Sequence, residues 1–239
     1  MVDLHTHLLP GIDDGAATAT ETYQLIESLR KQSVTAAACT PHYNPAEISL
    51  TEFLENRTRS LNSLKEAKIR LLTGSEVALN EYLFHYPDLS PLCIGTTRYI
   101  LIELPFDRSF KAEVFVWLER LLNYYNVVPI IAHIEKYPAA KRKRTIHKLK
   151  KLGCVIQMNA SSIVQKKTRK RALSLVKNGF IEVIASDCHN LTKRPPELGA
   201  AYEILKLQFG RDYVQQLIRN GEVILDDMPL NDKREYLLE

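Results

Sequence analysis

The stretch "VVPIIAHI" at residues 127–134 is a short apolar run, rich in β-branched residues, with a histidine near its end. Such runs are typical of strands buried on both faces of a parallel sheet. Six similar runs occur along the chain: "VDLH" (2–5), "VTAAACT" (34–40), "IRLLTGSEV" (69–77), "YILIEL" (99–104), "CVIQMN" (154–159) and "IEVIAS" (181–186). The sequence therefore predicts seven strands.

Helical patterns lie between these runs. They are "ATETYQLIESLRK" (19–31), "SLTEFLENRTRSLNSLKEA" (49–67), "FKAEVFVWLERLLNYY" (110–125), "KRTIHKLKKLG" (143–153) and "RKRALSLVKNG" (169–179). Ser49 and Glu52 have the spacing of a capping box, and the last two patterns end in a glycine suited to a left-handed helix terminus. The segment 198–227 predicts one or two closing helices. Strands that alternate with helices indicate an α/β fold.

Length and composition are those of an ordinary globular protein. The 239 residues are 45% hydrophobic and 25% charged, so we expect one domain over residues 1–239. No apolar run approaches the roughly 20 residues of a membrane span, and the first residues do not form a secretory signal, which predicts a cytoplasmic protein without membrane insertion. The four cysteines are widely spaced, which favours reduced thiols.

Polar residues fall where the predicted strands end. Eight residues share this placement: His5, His7, His42, Glu76, Glu103, His133, Asp187 and His189. Asp14, in the segment after the first run, completes a set of nine candidates. The carboxyl ends of parallel strands are where sites assemble in α/β folds, and only a closed barrel gathers all of them around one centre. We therefore expect a distorted seven-stranded (β/α)7 barrel, similar to a TIM barrel.

These five imidazoles and four carboxylates are too many for one metal ion, but they suit two or three metals that share carboxylates. His5 and His7, like Asp187 and His189, are two residues apart, so each pair points to one side of an extended chain. Alternatively, the glutamates could be half-buried strand residues with basic partners, and His133 a core histidine. Their aliphatic neighbours favour metal binding, because a buried ionisable group needs compensation.

Basic residues cluster in "KRKRTIHKLKK" (141–151) and "KKTRKR" (166–171), although the formal net charge is only +4. Two interpretations remain open: solvated helix faces, or a surface for an anionic partner. Nucleic acid is not expected as that partner, because no aromatic residues interleave with the charges as stacking platforms.

The segments "DLHTH", "GIDDG", "TPHY", "GSEV", "LIELP", "IAHIEKY" and "ASDCHNLTKRPP" occur in this order between residues 2 and 196. Together they resemble the polymerase and histidinol phosphatase (PHP) superfamily, and within it the bacterial tyrosine phosphatases of capsule and exopolysaccharide synthesis. The resemblance implies a distorted seven-stranded barrel and three divalent metals bound by the nine residues, most often manganese, with iron, zinc and magnesium as alternatives.

The same resemblance implies that Arg194 binds the substrate phosphate, together with Lys136, which stands where the family usually has arginine. Lysine keeps the charge but loses the bidentate geometry. The implied reaction is hydrolysis of phosphotyrosine by a metal-activated hydroxide, with His42 or Asp187 as a candidate acid. The implied partner is a tyrosine-phosphorylated protein, namely a membrane-associated bacterial tyrosine kinase. The sequence leaves the oligomeric state open.

Three alternatives remain at this point. The substrate could be histidinol phosphate or another small phosphomonoester, or the chain could be a non-catalytic module that binds phosphoproteins. The third concerns Cys188 and Arg194, which form a C-x5-R sequence like the loop of cysteine-dependent tyrosine phosphatases. An aspartate precedes this cysteine and no glycine lies within the loop, so we expect this match to be coincidental.

Overall fold

The computed structural model describes residues 1–65, 67–107 and 110–230. Within these residues there are nine strands: β1 (Val2–Thr6), β2 (Ala36–Cys39), β3 (His42–Tyr43), β4 (Arg70–Thr73), β5 (Glu76–Ala78), β6 (Tyr99–Glu103), β7 (Val128–Ile131), β8 (Val155–Asn159) and β9 (Val183–Ala185). The α-helices of the same residues are α1 (Ala19–Lys31), α2 (Leu50–Asn62), α3 (Ala112–Asn123), α4 (Lys143–Leu152), α5 (Ala160–Val164), α6 (Lys166–Lys177), α7 (Leu198–Phe209) and α8 (Arg211–Leu225). Four short 3-10 helices complete the described elements: Glu81–His85, Ser90–Leu92, Ile134–Lys136 and Ala139–Lys141.

The helix ends follow from local chemistry. Thr18 and Ser49 precede α1 and α2, and each side chain accepts a hydrogen bond from the N–H three residues later, as the capping-box spacing predicts for Ser49. Gly153 ends α4 with a φ of 106°, which confirms the left-handed terminus expected there. Helix α2 stops at Asn62, before the end of the predicted pattern at residue 67.

The strands form two parallel sheets, in the orders β1-β2-β4 and β3-β5-β6-β7-β8-β9. The chain itself connects them, because β3 follows β2 after two residues, and β5 follows β4 after Gly74 and Ser75. The single strand predicted at 69–77 is therefore wrong in detail. If β2 with β3, and β4 with β5, are each counted as one interrupted strand, seven strand segments remain. This number agrees with the number of predicted runs.

The described strands form no closed sheet, but the first strand approaches the segment after the last one. The N–H of Asp187 donates to the carbonyl of His5 at 2.9 Å, and the N–H of His7 donates to that of Cys188 at 2.9 Å. Thr6 and Cys188 also form one isolated parallel bridge. These hydrogen bonds place the two ends of the strand series side by side.

Buried apolar side chains divide into two clusters on opposite faces of the strands. The smaller cluster takes residues from six strands: Leu4, Ala38, Tyr99, Leu101, Ile130, Val155 and Val183. The larger cluster packs the opposite face against the helices and includes Ile100, Ile131 and Ile156. Neighbouring residues of one strand thus belong to different clusters, because successive side chains of a strand point to opposite faces of the sheet. Both faces of the strands are buried, as the apolar runs predict.

Helix α8 and the residues that follow it close the end of the strands opposite the candidate site. Ile224 of α8 belongs to the smaller cluster, and the Tyr99 hydroxyl, at the start of β6, donates to the carbonyl of Met228 at 2.7 Å. Two helices follow residue 197, as predicted, and α8 is the one that covers this end of the strands. No helix in the described ranges is both long and apolar enough to cross a membrane.

A buried arginine holds the interruption between β4 and β5. The Arg57 guanidinium, on α2, donates to the Gly74 carbonyl at 2.8 Å, to Ser75 Oγ at 3.1 Å and to the Pro91 carbonyl at 2.9 Å. Arg57 is only 7% exposed, and no carboxylate of the described chain pairs with it. Its hydrogen bonds satisfy carbonyls that the interrupted strand leaves without ladder partners. They fix the backbone directly before Glu76.

We expect the substitution Arg57→Ala to lower the free energy of unfolding by about 2–4 kcal/mol, because it leaves buried carbonyls unpaired and opens a cavity. Chemical denaturation measures this change. Arg59→Ala is the matched control on the same helix, since Arg59 is exposed and its side chain donates to Asn56, and its effect should stay within about 0.5 kcal/mol. Equal effects of the two substitutions would contradict the role assigned to Arg57.

Candidate metal centre

The nine residues predicted from strand ends lie together in the structure. Six are buried, namely His5, His7, Glu76, His133, Asp187 and His189. Asp14 and His42 are exposed and Glu103 is half-buried, so these three mark the side that opens to solvent. Because the strands run in parallel, residues far apart in the sequence meet at one end of the fold.

Glu76 lies at the centre of the cluster. Its Oε2 lies 3.1 Å from His5 Nε2, 3.3 Å from His7 Nε2 and 3.1 Å from His42 Nδ1, and its Oε1 lies 2.7 Å from His133 Nε2. Nevertheless, Oε2 is buried without a hydrogen-bond partner in the part of the chain that the structure describes, and so is His189 Nε2. Buried polar atoms left this way need another partner. A divalent cation among these atoms would supply it.

Three groups of side chains bring potential ligand atoms within 4.8 Å of one another. They are His7, Asp14, His42 and His189; then His5, His7 and Asp187; and then His42, Glu76 and Glu103. Eight of the nine predicted residues occur in these groups. His133 does not, although its Nε2 lies 3.4 Å from Glu103 Oε1. Imidazole nitrogens mixed with carboxylate oxygens suit zinc, iron or manganese.

Hydrogen bonds orient several of the imidazoles. His7 Nδ1 lies 2.7 Å from Asp13 Oδ2, and His189 Nδ1 lies 3.1 Å from the carbonyl oxygen of Asp187. Both contacts require a proton on Nδ1, which leaves the Nε2 lone pair facing the cluster. Asp13 also accepts the N–H of His42 at 3.1 Å. The sequence analysis missed this role of Asp13, and its place beside Asp14 in "GIDDG" is the signal that could have shown it.

Two members of the cluster have backbone angles that are uncommon outside glycine. The φ of His133 is 33° and that of Asp187 is 53°. Such conformations cost about 1–3 kcal/mol each and persist only where surrounding contacts hold them. Polar side chains from the neighbouring strand provide some of these contacts. Gln157 accepts the N–H of His133 at 2.6 Å, and Asn159 donates to Asp187 Oδ2 at 2.5 Å.

Lys136 and Arg194, to which the resemblance assigns phosphate binding, lie beside the cluster. Lys136 Nζ is 2.8 Å from Asp187 Oδ2, and an Arg194 nitrogen is 2.7 Å from Asp187 Oδ1. Both line a cavity of about 330 Å³ whose wall also includes Asn159 and Lys193. The cavity therefore places positive charge beside Asp187, a predicted ligand that also lines it.

The close packing of charged groups shifts their pKa values. Burial acts to lower the pKa of His7, but its hydrogen bond with Asp13 and its proximity to the Glu76 carboxylate raise it to about 10. Burial acts to raise the pKa of Glu76, yet the surrounding histidines hold it well below its usual range. The pKa of Asp187 is also low, because His5 and Lys136 outweigh its burial. Without cations, the cluster compensates its carboxylates with protons on imidazole.

Cys188 lacks the properties of a nucleophile. Its side chain is fully buried in the larger apolar cluster, and burial, together with Asp3, raises the pKa of the thiol above its usual range. A reactive cysteine needs exposure and a lowered pKa. Arg194 points to Asp187 and Asp14. The C-x5-R match is therefore coincidental, as expected.

The chain thus combines a parallel α/β fold with histidines and carboxylates gathered at its strand ends. This arrangement is typical of metal-dependent hydrolases. Residues 1–226 match the family described as "Capsular polysaccharide synthesis, CpsB/CapC". The chain belongs to the CpsB/CapC family.

Individual relatives agree with this assignment. The chain is 29% identical to the tyrosine-protein phosphatase CpsB of Streptococcus agalactiae, over 94% of this chain and 98% of the relative. It is 28% identical to the tyrosine-protein phosphatase YwqE of Bacillus subtilis, over 94% and 91% of the two chains. A solved structure, from work on YwqE of Bacillus subtilis and CpsB of Streptococcus pneumoniae as metal-dependent tyrosine phosphatases, matches with a TM-score of 0.83, 25% identity, and coverage of 97% and 96%.

The loop "GIDDG" packs so tightly on β1 that we expect Gly15→Ala to be destabilising. A Cβ at residue 15 would lie 2.3 Å from the His7 carbonyl oxygen and 2.5 Å from the His7 Cβ. The loop must shift, so the free energy of unfolding measured by urea denaturation without added metal should fall by about 1–3 kcal/mol.

The matched control is Gly221→Ala, in the middle of α8. A Cβ there meets nothing closer than 3.5 Å, so the same substitution should leave stability unchanged or raise it by up to about 1 kcal/mol. A Gly15→Ala protein as stable as the unsubstituted chain would show that the loop does not depend on this contact.

Proposed function

We propose that this chain is a metal-dependent protein-tyrosine phosphatase that hydrolyses phosphotyrosine in a protein substrate. The observation that carries the proposal is the pairing of two features: buried ligand atoms without hydrogen-bond partners around Glu76, and a cationic cavity directly beside them. The first suits divalent metals and the second suits a phosphate group. Membership of the CpsB/CapC family supports the same conclusion.

The nine clustered residues fit divalent metals. We propose three ions, held by His5, His7, Asp14, His42, Glu76, Glu103, His133, Asp187 and His189, with manganese as the leading candidate and iron, zinc or magnesium as alternatives. When bound, the ions supply a Lewis acid for the phosphoryl oxygens and an activated water as nucleophile. The unpartnered Glu76 Oε2 and His189 Nε2 support this assignment, because both atoms have a lone pair directed into the cluster.

Arg194 and Lys136 position the phosphate in this proposal. Each pairs with a different oxygen of Asp187, and each lines the cavity. A phosphate entering the cavity would meet both cations and gain charge-assisted hydrogen bonds. Arg194 can hold two phosphate oxygens at once, whereas Lys136 supplies a point charge. Their charge stabilises the equatorial oxygens as the phosphorus–oxygen bond breaks.

The leaving group in this proposal is an aryl oxide. Tyrosine has an ordinary pKa near 10, so its oxide leaves with little help from an acid. Of the two candidate acids, His42 remains, because the lowered pKa of Asp187 keeps its carboxylate ionised. The ring of Phe106, which is 54% exposed, lies over His133 with centroids 6.1 Å apart and planes 19° from parallel. This exposed ring offers a contact surface for the aromatic ring of phosphotyrosine.

We propose that the seven strand segments form a distorted, TIM-like barrel. The apolar cluster with residues from six strands and the hydrogen bonds between β1 and the segment after β9 support this arrangement. We further propose a single domain over residues 1–239, of which 231–239 lie outside the described residues, and a cytoplasmic location.

The protein substrate in this proposal is a membrane-associated bacterial tyrosine kinase. The charge distribution supports an anionic partner. Between Glu135 and Glu182 the chain has fourteen lysines and arginines and neither aspartate nor glutamate, so all 28 acidic residues lie elsewhere. This segment contains Lys136 of the cavity and both α4 and α6, and the Lys143 ammonium on α4 donates to Asn178, at the end of α6, at 2.9 Å. This hydrogen bond brings α4 next to the carboxyl end of α6.

The first test of the proposed function is hydrolysis of a tyrosine-phosphorylated peptide before and after chelation, with manganese added back. We expect chelation to abolish activity and manganese to restore it. Asp187→Ala should lower kcat/KM about 1000-fold or more, because it removes a metal ligand and a phosphate-site charge. Cys188→Ser and Cys188→Ala should retain most activity, since the thiol takes no part in the reaction.

Each other outcome identifies a different alternative. Activity that survives chelation and Asp187→Ala but not Cys188→Ser would overturn the metal mechanism. A kcat/KM on histidinol phosphate above that on the peptide would establish the small-substrate alternative. An inactive, metal-loaded protein that binds the phosphorylated peptide would indicate a non-catalytic module.

A second test concerns the basic segment. Reversing the charges of Lys141, Arg142 and Arg144, which are all exposed, should lower kcat/KM for an acidic phosphotyrosine peptide about tenfold at low salt. The effect should diminish as ionic strength rises, and hydrolysis of phenyl phosphate should not change. Reversal of the exposed Lys31, Lys65 and Lys68 alters the net charge equally outside the segment and serves as the control. Equal losses on peptide and phenyl phosphate would refute steering.

A further inference from the structure

Strand β8 differs from the other strand segments in what it brings to the cluster. Each of the other six contributes a predicted ligand at or just beyond its carboxyl end, whereas "VIQMN" contains no histidine, cysteine or acidic residue. It carries Gln157 and Asn159 instead. Both amides are buried, and because they are two residues apart, both point to the same side of the strand. Buried amides require hydrogen-bond partners.

The hydrogen bonds of these amides form a continuous chain across the strand. The N–H of His133 donates to Gln157 Oε1 at 2.6 Å, and Gln157 Nε2 donates to Asn159 Oδ1 at 2.9 Å. Asn159 Nδ2 then donates to Asp187 Oδ2 at 2.5 Å. Since β8 lies between β7 and β9, the chain connects the residue that follows β7 with the one that follows β9. Gln157 and Asn159 are called the amide pair below.

The direction of this chain is determined at both ends. A backbone N–H can only donate, so Gln157 must present its oxygen to His133. An ionised carboxylate can only accept, so Asn159 must present its nitrogen to Asp187. The remaining groups, Gln157 Nε2 and Asn159 Oδ1, then meet as donor and acceptor. Neither amide can rotate by 180° without losing hydrogen bonds that nothing else replaces.

The same oxygen of Gln157 also determines the protonation of a third residue. His5 Nδ1 lies 3.3 Å from Gln157 Oε1, which in this orientation is an acceptor. The proton of neutral His5 must therefore be on Nδ1, and Nε2 keeps its lone pair. Nε2 is the atom that faces Glu76 Oε2 at 3.1 Å and Asp187 Oδ1 at 3.4 Å. An imidazole binds a metal through the nitrogen that lacks the proton.

We propose that the amide pair is a positioning device for the metal centre: it holds His133 and Asp187 in their unusual backbone conformations and sets the tautomer of His5. The inference rests on the metal binding of the proposed function. Contacts of this kind behind metal ligands orient them and raise metal affinity. The amide pair is suited to this role because it adds no charge to a cluster that already contains four carboxylates.

The direct test measures manganese affinity by competition with a chelator and the His5 tautomer by 15N NMR of the metal-free, histidine-labelled protein. Gln157→Leu should weaken manganese binding about 10–100-fold and should populate both tautomers of His5. Asn159→Leu should weaken binding similarly while leaving the His5 tautomer intact, because Gln157 Oε1 still accepts from His5. Met158→Leu, between them but in the apolar cluster under the helices, is the control and should change neither quantity.

Two further variants keep the test informative if the leucine substitutions impair folding. Gln157→Glu retains the shape and both acceptor contacts but cannot donate to Asn159, so it should preserve the His5 tautomer and still weaken manganese binding. Asn159→Asp places a carboxylate against Asp187 and should weaken binding more than Asn159→Leu. In the double variant, the losses of manganese-binding free energy caused by Gln157→Leu and Asn159→Leu should be less than additive, because either substitution alone breaks the same chain of hydrogen bonds.

Unchanged manganese affinity and an unchanged His5 tautomer in Gln157→Leu would overturn the proposal, and so would full additivity of the two leucine substitutions. These readouts do not depend on catalysis. If the protein hydrolysed no phosphotyrosine but its metal affinity still responded to the amide pair, the proposed function would fail and this inference would stand.

Discussion

The crowding of lone pairs around Glu76 is the constraint on which the rest of the structure depends. One carboxylate oxygen lies within about 3.3 Å of nitrogens from three imidazoles and accepts a hydrogen bond from none of them. Such an arrangement is unfavourable in a buried site unless cations occupy the space between the atoms. The strand interruption before Glu76, the close contact of "GIDDG" with β1 and the two strained residues all serve to keep these atoms together. The stability of the surrounding fold therefore maintains the site.

Much of this arrangement could be predicted from the sequence because strand ends are visible in it. A buried strand is an apolar run, and a histidine or glutamate at its end stands out, so all nine clustered residues could be identified. The interruption at Gly74 and Ser75 could not be predicted, since it depends on Arg57 reaching across from another helix. Asp13, Gln157 and Asn159 were missed for a similar reason. Their roles depend on which neighbour each side chain meets, and no spacing rule specifies that.

The charge distribution provides separate places for cations and for an anion. The cluster itself is rich in carboxylates, which suit cations, whereas Lys136 and Arg194 provide positive charge where an anion would enter. The long segment without acidic residues extends this positive charge from the cavity over neighbouring helices. An anionic substrate is therefore attracted to this rim, where Lys136 and Arg194 offset the negative charge of the cluster's carboxylates.

The contact between β1 and the segment after β9 has a consequence for how the chain acquires activity as it is made. Asp3 and Ser186, which are 183 residues apart, hydrogen-bond directly behind the cluster, and His5 contacts Asp187 in the same region. A ribosome-bound chain that has not yet released this late segment leaves one edge of β1 unpaired, and exposed strand edges invite aggregation. Loop closure over such a distance also makes folding slow. Ligand residues from the beginning and the end of the fold meet only when closure is complete, so catalytic competence reports the completion of folding.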